Sequence, residues 1–161
     1  RSGDIDQSVI FYLINQLGYS PDEVNNIIQK ESGMLGLTGH HDLRDIQLKA
    51  AEGNKDCQLA LDMNTYRIKK YIGSYVAALN GLDAIVFTAG IGENSSVIRK
   101  MACSNLQYLG IEIDDAMNDQ RIENISDISL KSSKTKVLVI PTNEELEIAK
   151  QSYNLISKSD I

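Results

Sequence analysis

The sequence predicts an α/β fold in which a few parallel strands are flanked by helices, and three observations support this. Ile85-Val86-Phe87 is a short apolar run that breaks into Thr88-Ala89-Gly90-Ile91-Gly92-Glu93-Asn94 and restarts as a helix near Val97, with Asn94, Ser95 or Ser96 as its cap. Lys136 to Ile140 is a second buried run, followed by Thr142 and Glu145 in the spacing of a capping box. Upstream of both, apolar residues recur at helical spacing with glycine or proline at the boundaries. Strand, helix, strand, helix in that order implies a parallel pair joined by a crossover. With only these two strands, a sheet edge is expected to be exposed, and with it a tendency to self-associate.

In order along the chain, Gln7 to Leu17 carries Val9, Ile10, Leu13, Ile14 and Leu17 on one helical face, and Gly18 closes it. Ser20-Pro21-Asp22-Glu23 is a capping box with proline at the first helical position, opening a helix to about Lys30 and completing a helical hairpin. Gly33, Gly36 and Gly39 read as punctuation of an irregular loop, and Arg44 to Glu52 as a short helix ended by Gly53-Asn54. Lys55 to Leu79 is expected to be the longest helix, its stripe of Leu59, Met63, Tyr66, Ile68, Ile72, Tyr75, Val76 and Leu79 forming core and in part a subunit interface. Asn80-Gly81 ends it and Leu82 to Phe87 enters the sheet. Gly110 to Ile113 is expected to form a brief strand, Asp114 to Arg121 a short helix, and Thr142 to Ile156 the last helix. This divides the chain into a helical segment of about 6–80 and a strand-helix core of about 82–156.

A chain of 161 residues with 42% apolar and 24% charged residues has the composition of one globular domain. The net charge of −6 argues against nucleic acid as a partner, since a protein that neutralises phosphates needs a basic face. No apolar run approaches the roughly 20 residues of a membrane span, and no signal peptide is visible, so no membrane partner is expected. Cys57 and Cys103 stand far apart in no metal or redox spacing and read as reduced, buried thiols of a cytoplasmic protein.

The glycine turn has the grammar of a nucleotide site. Gly90 and Gly92 remove side chains where a flat ligand or phosphate approaches main chain, and a helix's first N–H groups favour an anion. A tight turn with no ligand fits the same residues. Asp42 and Arg44, two apart in an extended segment, face one way with Leu43 opposite. The guanidinium is suited to stacking on a purine and the carboxylate to accepting from a ribose or exocyclic amine; a solvated ion pair capping a helix is the alternative. His40 and His41 are adjacent, so on an extended loop they point apart and do not make a metal site by themselves. Beyond Thr142, a capping-box Glu145 is occupied by its cap, which leaves Glu144 free, and a free carboxylate is a hard oxygen donor. The alternative is a pair of glutamates that simply favour a helix N-terminus.

Arg1-Ser2-Gly3-Asp4-Ile5-Asp6, Glu31 to Gly39, Asp42-Leu43-Arg44-Asp45-Ile46, Thr88 to Asn94 and Pro141-Thr142-Asn143-Glu144-Glu145-Leu146 follow one another in the order found in acetate kinases. The sequence resembles the C-terminal part of the acetate and propionate kinase family from its first residue almost to its last. The resemblance implies a partial lobe of the actin-like, ribonuclease H-like ATPase fold, occupying residues 1–161. It implies reversible phosphoryl transfer from ATP to acetate, or another short-chain carboxylate, giving acetyl phosphate and ADP. It nominates Asp42, Leu43, Arg44, Gly90, Ile91, Gly92, Glu93 and Asn94 for the adenosine pocket. Glu144 is nominated for magnesium with Glu145 in reserve, and Arg1 as a catalytic residue near the transferring phosphoryl group. Asp4 and Asp6 are a turn residue and a helix cap. Gly39-His40-His41-Asp42 is one residue shorter than the family's common form, which bears on the depth of the adenine pocket. The family also implies a homodimer, a preceding N-terminal lobe that carries further active-site groups, and an upstream part of the second lobe that carries the phosphate loop, so a fragment of this extent is expected to be inactive alone. A Rossmann-type dinucleotide protein is the first rival, although Ser95 stands where its third glycine belongs. A non-catalytic dimerisation module is the second.

Overall fold

The computed structural model describes residues 1–158; the last three residues of the expected lobe lie outside the described residues. The chain divides into two compact units, the first ending at Ile68 and the second starting at Lys69. Each unit has its own buried core.

In the first unit, α1 (Ser8–Asn15) is followed by α2 (Pro21–Asn26), and α2 widens into a π turn over Ile27–Glu31. The capping box at Ser20 forms as expected, with the Glu23 amide donating to the Ser20 hydroxyl at 3.3 Å and the Ser20 amide to the Glu23 carboxylate at 2.8 Å. The glycine-rich stretch is not a loop but a helix, α3 (Gly33–Thr38). Close packing selects its glycine: a Cβ on Gly36 would lie 2.6 Å from the Glu31 carbonyl oxygen. Gly39, in the left-handed region at φ 74°, ends the helix by donating to the Leu35 carbonyl at 2.7 Å. Helix α4 (Leu43–Ala51) starts at an Asp42 cap and buries Ile46.

Helix α5 (Lys55–Leu79) has the expected bounds but not the expected buried face. Its buried residues are Cys57, Ala60, Leu61 and Thr65. Leu59, Met63, Tyr66, Tyr75 and Leu79 are exposed, and Ile68, Ile72 and Val76 half-buried. Leu59, Met63 and Tyr66 lie on the face opposite the buried set, whereas Tyr75 and Leu79 lie on the same face as Cys57 and Leu61, about five turns further along, and are exposed there. Thr65 escapes a desolvation cost by returning its hydroxyl to the Leu61 carbonyl at 2.9 Å.

The second unit holds a sheet in the order β1-β3-β2. Asn80 takes the left-handed conformation at φ 57°, and the amides of Asn80 and Gly81 bond back to the carbonyls of Ala77 and Val76, which stops α5. β1 (Ala84–Phe87) then pairs parallel with β3 (Lys136–Val139), in the register Ala84 to Lys136 and Phe87 to Val139. β1 is an edge strand and, contrary to expectation, is not fully buried: Phe87 is covered while Val86 is 50% exposed. β2 (Ser126–Asp127) adds antiparallel to β3 and is too short and polar to have been read from an apolar pattern. The brief strand expected at Gly110 to Ile113 reduces to one bridge between Ile113 and Ser129. Gly110 instead closes a 3₁₀ turn over Gln107–Leu109.

Between β1 and β3 run α6 (Ala89–Asn94), α7 (Ser96–Cys103) and α8 (Asp115–Asn118); α9 (Glu144–Lys158) follows β3. Ile98, Ala102, Cys103, Leu106, Ile111, Ile128, Val137 and Val139 form the apolar core. Cys57 and Cys103 are free and buried, and burial pushes the Cys103 thiol up to about 12, which keeps it protonated.

Arg99 is buried in this core at 2% exposure. Its Nη1 donates to the carbonyls of Gly92 and Glu93, both at 2.8 Å, while Nε and Nη2 donate to the side-chain and main-chain oxygens of Asn118 at 2.7 and 2.6 Å. Asn118 passes the network on to the Ser96 carbonyl at 3.0 Å. The guanidinium thus satisfies carbonyls that the short helices α6 and α8 leave open at their ends. Burial draws its pKa down, partly offset by the charge of Asp119, yet an arginine stays protonated.

Arg99→Met is expected to cost about 3 kcal/mol in urea unfolding, because the buried acceptors lose their donors together; a cost below about 1 kcal/mol would contradict the network's role. Asp127, bonded to Lys136 and Ser129, is held at about 2 against an ordinary 3.8. Its carboxylate therefore stabilises the fold above pH 3.8, and that contribution fades as pH falls toward 2. Asp127→Asn is expected to lose less than about 1 kcal/mol at pH 7, since both charged partners are solvent-accessible, and the deficit should vanish in unfolding curves taken near pH 2.

Candidate functional site

Parallel strands that end side by side release their chains at the same edge of the sheet, and this edge is where ligands bind in open α/β sheets. Here β1 runs into α6 and β3 runs toward α9. The Ile140 amide donates to the Phe87 carbonyl at 2.9 Å, continuing the ladder by one step. The Thr88 hydroxyl donates to the Ile140 carbonyl at 2.8 Å. The amide and hydroxyl of Thr142 then both donate to Glu93 Oε1, at 2.8 and 2.9 Å. These bonds hold the carboxylate of Glu93 below its usual range, the Thr142 amide contributing most and its hydroxyl next.

The glycine turn is a helix in its own right rather than an open turn. Its strained position is Ala89, at φ 57°, not either glycine. A Cβ on Gly92 would approach the Phe87 carbonyl carbon to 3.1 Å, so that glycine serves close packing. A Cβ on Gly90 would meet nothing within 4 Å. The exposed Asn94 turns its amide inward to the Gly90 carbonyl at 2.9 Å, and Ile91 is 54% exposed. Of the three cap candidates it is Ser95 that caps α7, accepting from the Ile98 amide at 3.1 Å.

At the start of α9 the expected capping box does not form. Asn143 is the cap, its side chain accepting from the Leu146 amide at 3.0 Å, while the hydroxyl of Thr142 is turned to Glu93, to which it donates. Glu144 and Glu145 occupy the first turn and both are exposed, so the cap does not distinguish a free Glu144 from Glu145. Among the described residues no group of three or more His, Cys, Asp or Glu side chains is placed to hold a metal. The donor set fits magnesium, which accepts one or two hard carboxylates together with waters and a ligand's phosphates.

In the first unit, Asp42 and Arg44 face one way because Asp42 is a helix cap rather than part of an extended strand. The Asp42 carboxylate accepts from the Arg44 amide at 2.8 Å and from Nε at 3.0 Å. The Arg44 side chain, followed by its amide, holds Asp42 at about 2. The guanidinium is 90% exposed, so a flat face is open to solvent. Leu43 and His40 are half-buried and His41 exposed. Arg1 is exposed, next to the Ser2 amide that donates to the Ile28 carbonyl at 2.9 Å. It borders a cavity of about 390 Å³ walled by Met34, Leu37, Ala60, Met63 and Arg67. Asp6 is a local cap, accepting from the Ser8 amide at 2.8 Å, while Asp4 pairs with Arg67.

Sequence reasoning missed Arg99 and the bond between Glu93 and Thr142. The one available signal for the first was an arginine set among Val97, Ile98, Met101 and Ala102 on an otherwise amphipathic helix. Nothing local announces the second, whose partners are 49 positions apart.

With this geometry in view, comparison with known proteins is direct. The model of the acetokinase family matches residues 1–150. The chain is 65% identical over 156 residues to an acetate kinase of Flavobacterium johnsoniae, covering 97% of this chain and 40% of that protein. Among solved structures, an acetate kinase of Porphyromonas gingivalis superposes with a TM-score of 0.87 at 39% identity, covering 97% of this chain and 39% of that one. A propionate kinase of Francisella tularensis superposes with a TM-score of 0.84 at 43% identity, covering 92% and 38%. The chain therefore spans about 40% of the length of the curated relatives it matches. The small sheet flanked by helices is part of an actin-like ATPase fold, and the chain belongs to the acetokinase family.

Proposed function

We propose that this chain is the C-terminal nucleotide-binding lobe of an acetate kinase, which transfers a phosphoryl group reversibly between ATP and acetate. The observation that carries the reading lies at the sheet edge: α6 and the start of α9 leave adjacent parallel strands together, with Gly90 open above the edge. In this reading Gly90, Ile91, Gly92, Glu93 and Asn94, with Asp42, Leu43 and Arg44, serve the adenosine end of the nucleotide. Glu144, with Glu145 as the alternative, binds magnesium, which when present neutralises phosphate charge. Arg1 presents its planar donors to the transferring phosphoryl group. Positioning and charge neutralisation are the main demands of such a reaction. The lobe works with an N-terminal lobe, in a cytoplasmic homodimer. The exposed Leu59, Met63, Tyr66, Tyr75 and Leu79 on α5 support pairing through that helix.

A propionate kinase is the second reading, favoured by the likeness to the Francisella tularensis enzyme. In the intact enzyme the ratio of kcat/KM for acetate and propionate decides between them.

The function is tested by calorimetric titration of the full-length protein with Mg-ADP and by assay of acyl phosphate formation. Because the space at Gly90 is open, Gly90→Val should leave the fold intact and weaken ADP at least about tenfold by blocking close approach. Full ADP affinity in a folded Gly90→Val protein would remove α6 from the site. Preferential binding of NAD would instead favour the dinucleotide reading. Sedimentation of the full-length protein should give a dimer, and Tyr66→Glu with Leu79→Glu should shift it toward monomer; an unchanged dimer would move pairing to another face.

A further inference from the structure

Glu93 joins two segments that the proposed function assigns to different ligands. Its own helix, α6, belongs to the nucleotide, and Thr142, which it grips, leads through the Asn143 cap into Glu144 and Glu145. The grip has two bonds from one residue to one oxygen, so it fixes the position of Thr142 and not merely its distance. The main chain of Glu93 is itself immobilised from the core side, where the buried Arg99 holds its carbonyl at 2.8 Å. Two residues before Thr142, Ile140 is fastened to Phe87 and Thr88. The chain from Arg99 through Glu93 to Thr142 thus runs without interruption from the core to the first turn of α9. Glu93 is half-buried and Thr142 exposed, so this is a surface clamp whose removal need not disturb the core.

We propose that Glu93 is a positioning residue: by clamping Thr142 it fixes the first turn of α9, and with it the magnesium carboxylate, against the nucleotide-binding helix, so that metal and nucleotide bind cooperatively. This rests on the function proposed above and narrows the role of Glu93 within it. By linkage, a coupling of this kind appears as a gain in ADP affinity when magnesium is present.

The test titrates ADP into the full-length enzyme by calorimetry, once with magnesium and once with EDTA. Glu93→Ala should cut the magnesium-dependent gain about fivefold or more, and Thr142→Val, at a residue outside the adenosine pocket, should reduce the gain while leaving the affinity in EDTA within about twofold. Thr142→Val keeps the amide bond and should act less strongly. It should add nothing to Glu93→Ala, since both remove one interaction. Glu93→Gln retains an acceptor oxygen and should restore most of the gain. Hydrogen exchange at the Thr142 amide provides a readout free of ligand, expected to be faster in Glu93→Ala and near wild type in Glu93→Gln. Equal loss of ADP affinity with and without magnesium in Thr142→Val would show that the clamp serves the nucleotide alone and overturn the proposal. So would an unchanged gain in Glu93→Ala, or unchanged exchange at Thr142. A wild-type enzyme that binds no ADP in either condition would overturn the nucleotide reading itself, and the clamp's coupling role with it.

Discussion

Main-chain hydrogen bonding at the edge where β1 and β3 stop is the constraint on which the second unit depends. Parallel strands cannot be joined by a tight turn, so the chain must travel from one carboxyl end through helices before it returns. Both strands then deliver their following segments to one edge, and the polar groups released there have to find partners. Ile140 with Phe87, Thr88 with Ile140 and Thr142 with Glu93 are those partners. The candidate site is thus built from the same bonds that finish the sheet.

Short helices make this arrangement costly in unsatisfied carbonyls. A six-residue helix such as α6 leaves a large share of its carbonyls without internal partners, and α8 is shorter still. One buried arginine answers for both, since its planar donors reach Gly92, Glu93 and Asn118 at once. A lysine, with a compact ammonium on a flexible stem, would not span the same acceptors. The strained Ala89 stands at the opposite end of α6, where the chain must turn sharply off β1. The helix is therefore braced at one end by a charge and bent at the other by backbone strain, while Gly90 between them faces open space.

Legibility in the sequence followed the range of the interactions. The capping box at Ser20, the bounds of α5, the Asn80-Gly81 stop, the two parallel runs and the order of the motifs rest on neighbours a few residues apart, and these were readable. The glycines at 33, 36 and 39 misled because glycine marks close packing as well as irregular chain, and here Gly36 lies against a carbonyl within a helix. The stripe on α5 misled because cover changes along the helix as well as around it: Cys57 and Leu61 are buried, while Tyr75 and Leu79 on the same face are exposed. Thr142 and Glu145 fit a capping box locally, but in the fold the Thr142 hydroxyl is turned to the distant Glu93 carboxylate and Asn143 caps the helix.

The sequence by itself determined the family, the parallel strand-helix grammar and the residue types present at the candidate site, because each depends on local spacing and on the order of motifs along the chain. Only the tertiary structure decided that Arg99 lies in the core, that Asn143 caps α9, and that Glu93 binds Thr142. Each of those is a contest for hydrogen-bond partners between groups far apart in sequence, and the winner is set by which groups the folded sheet brings within about 3 Å of one another.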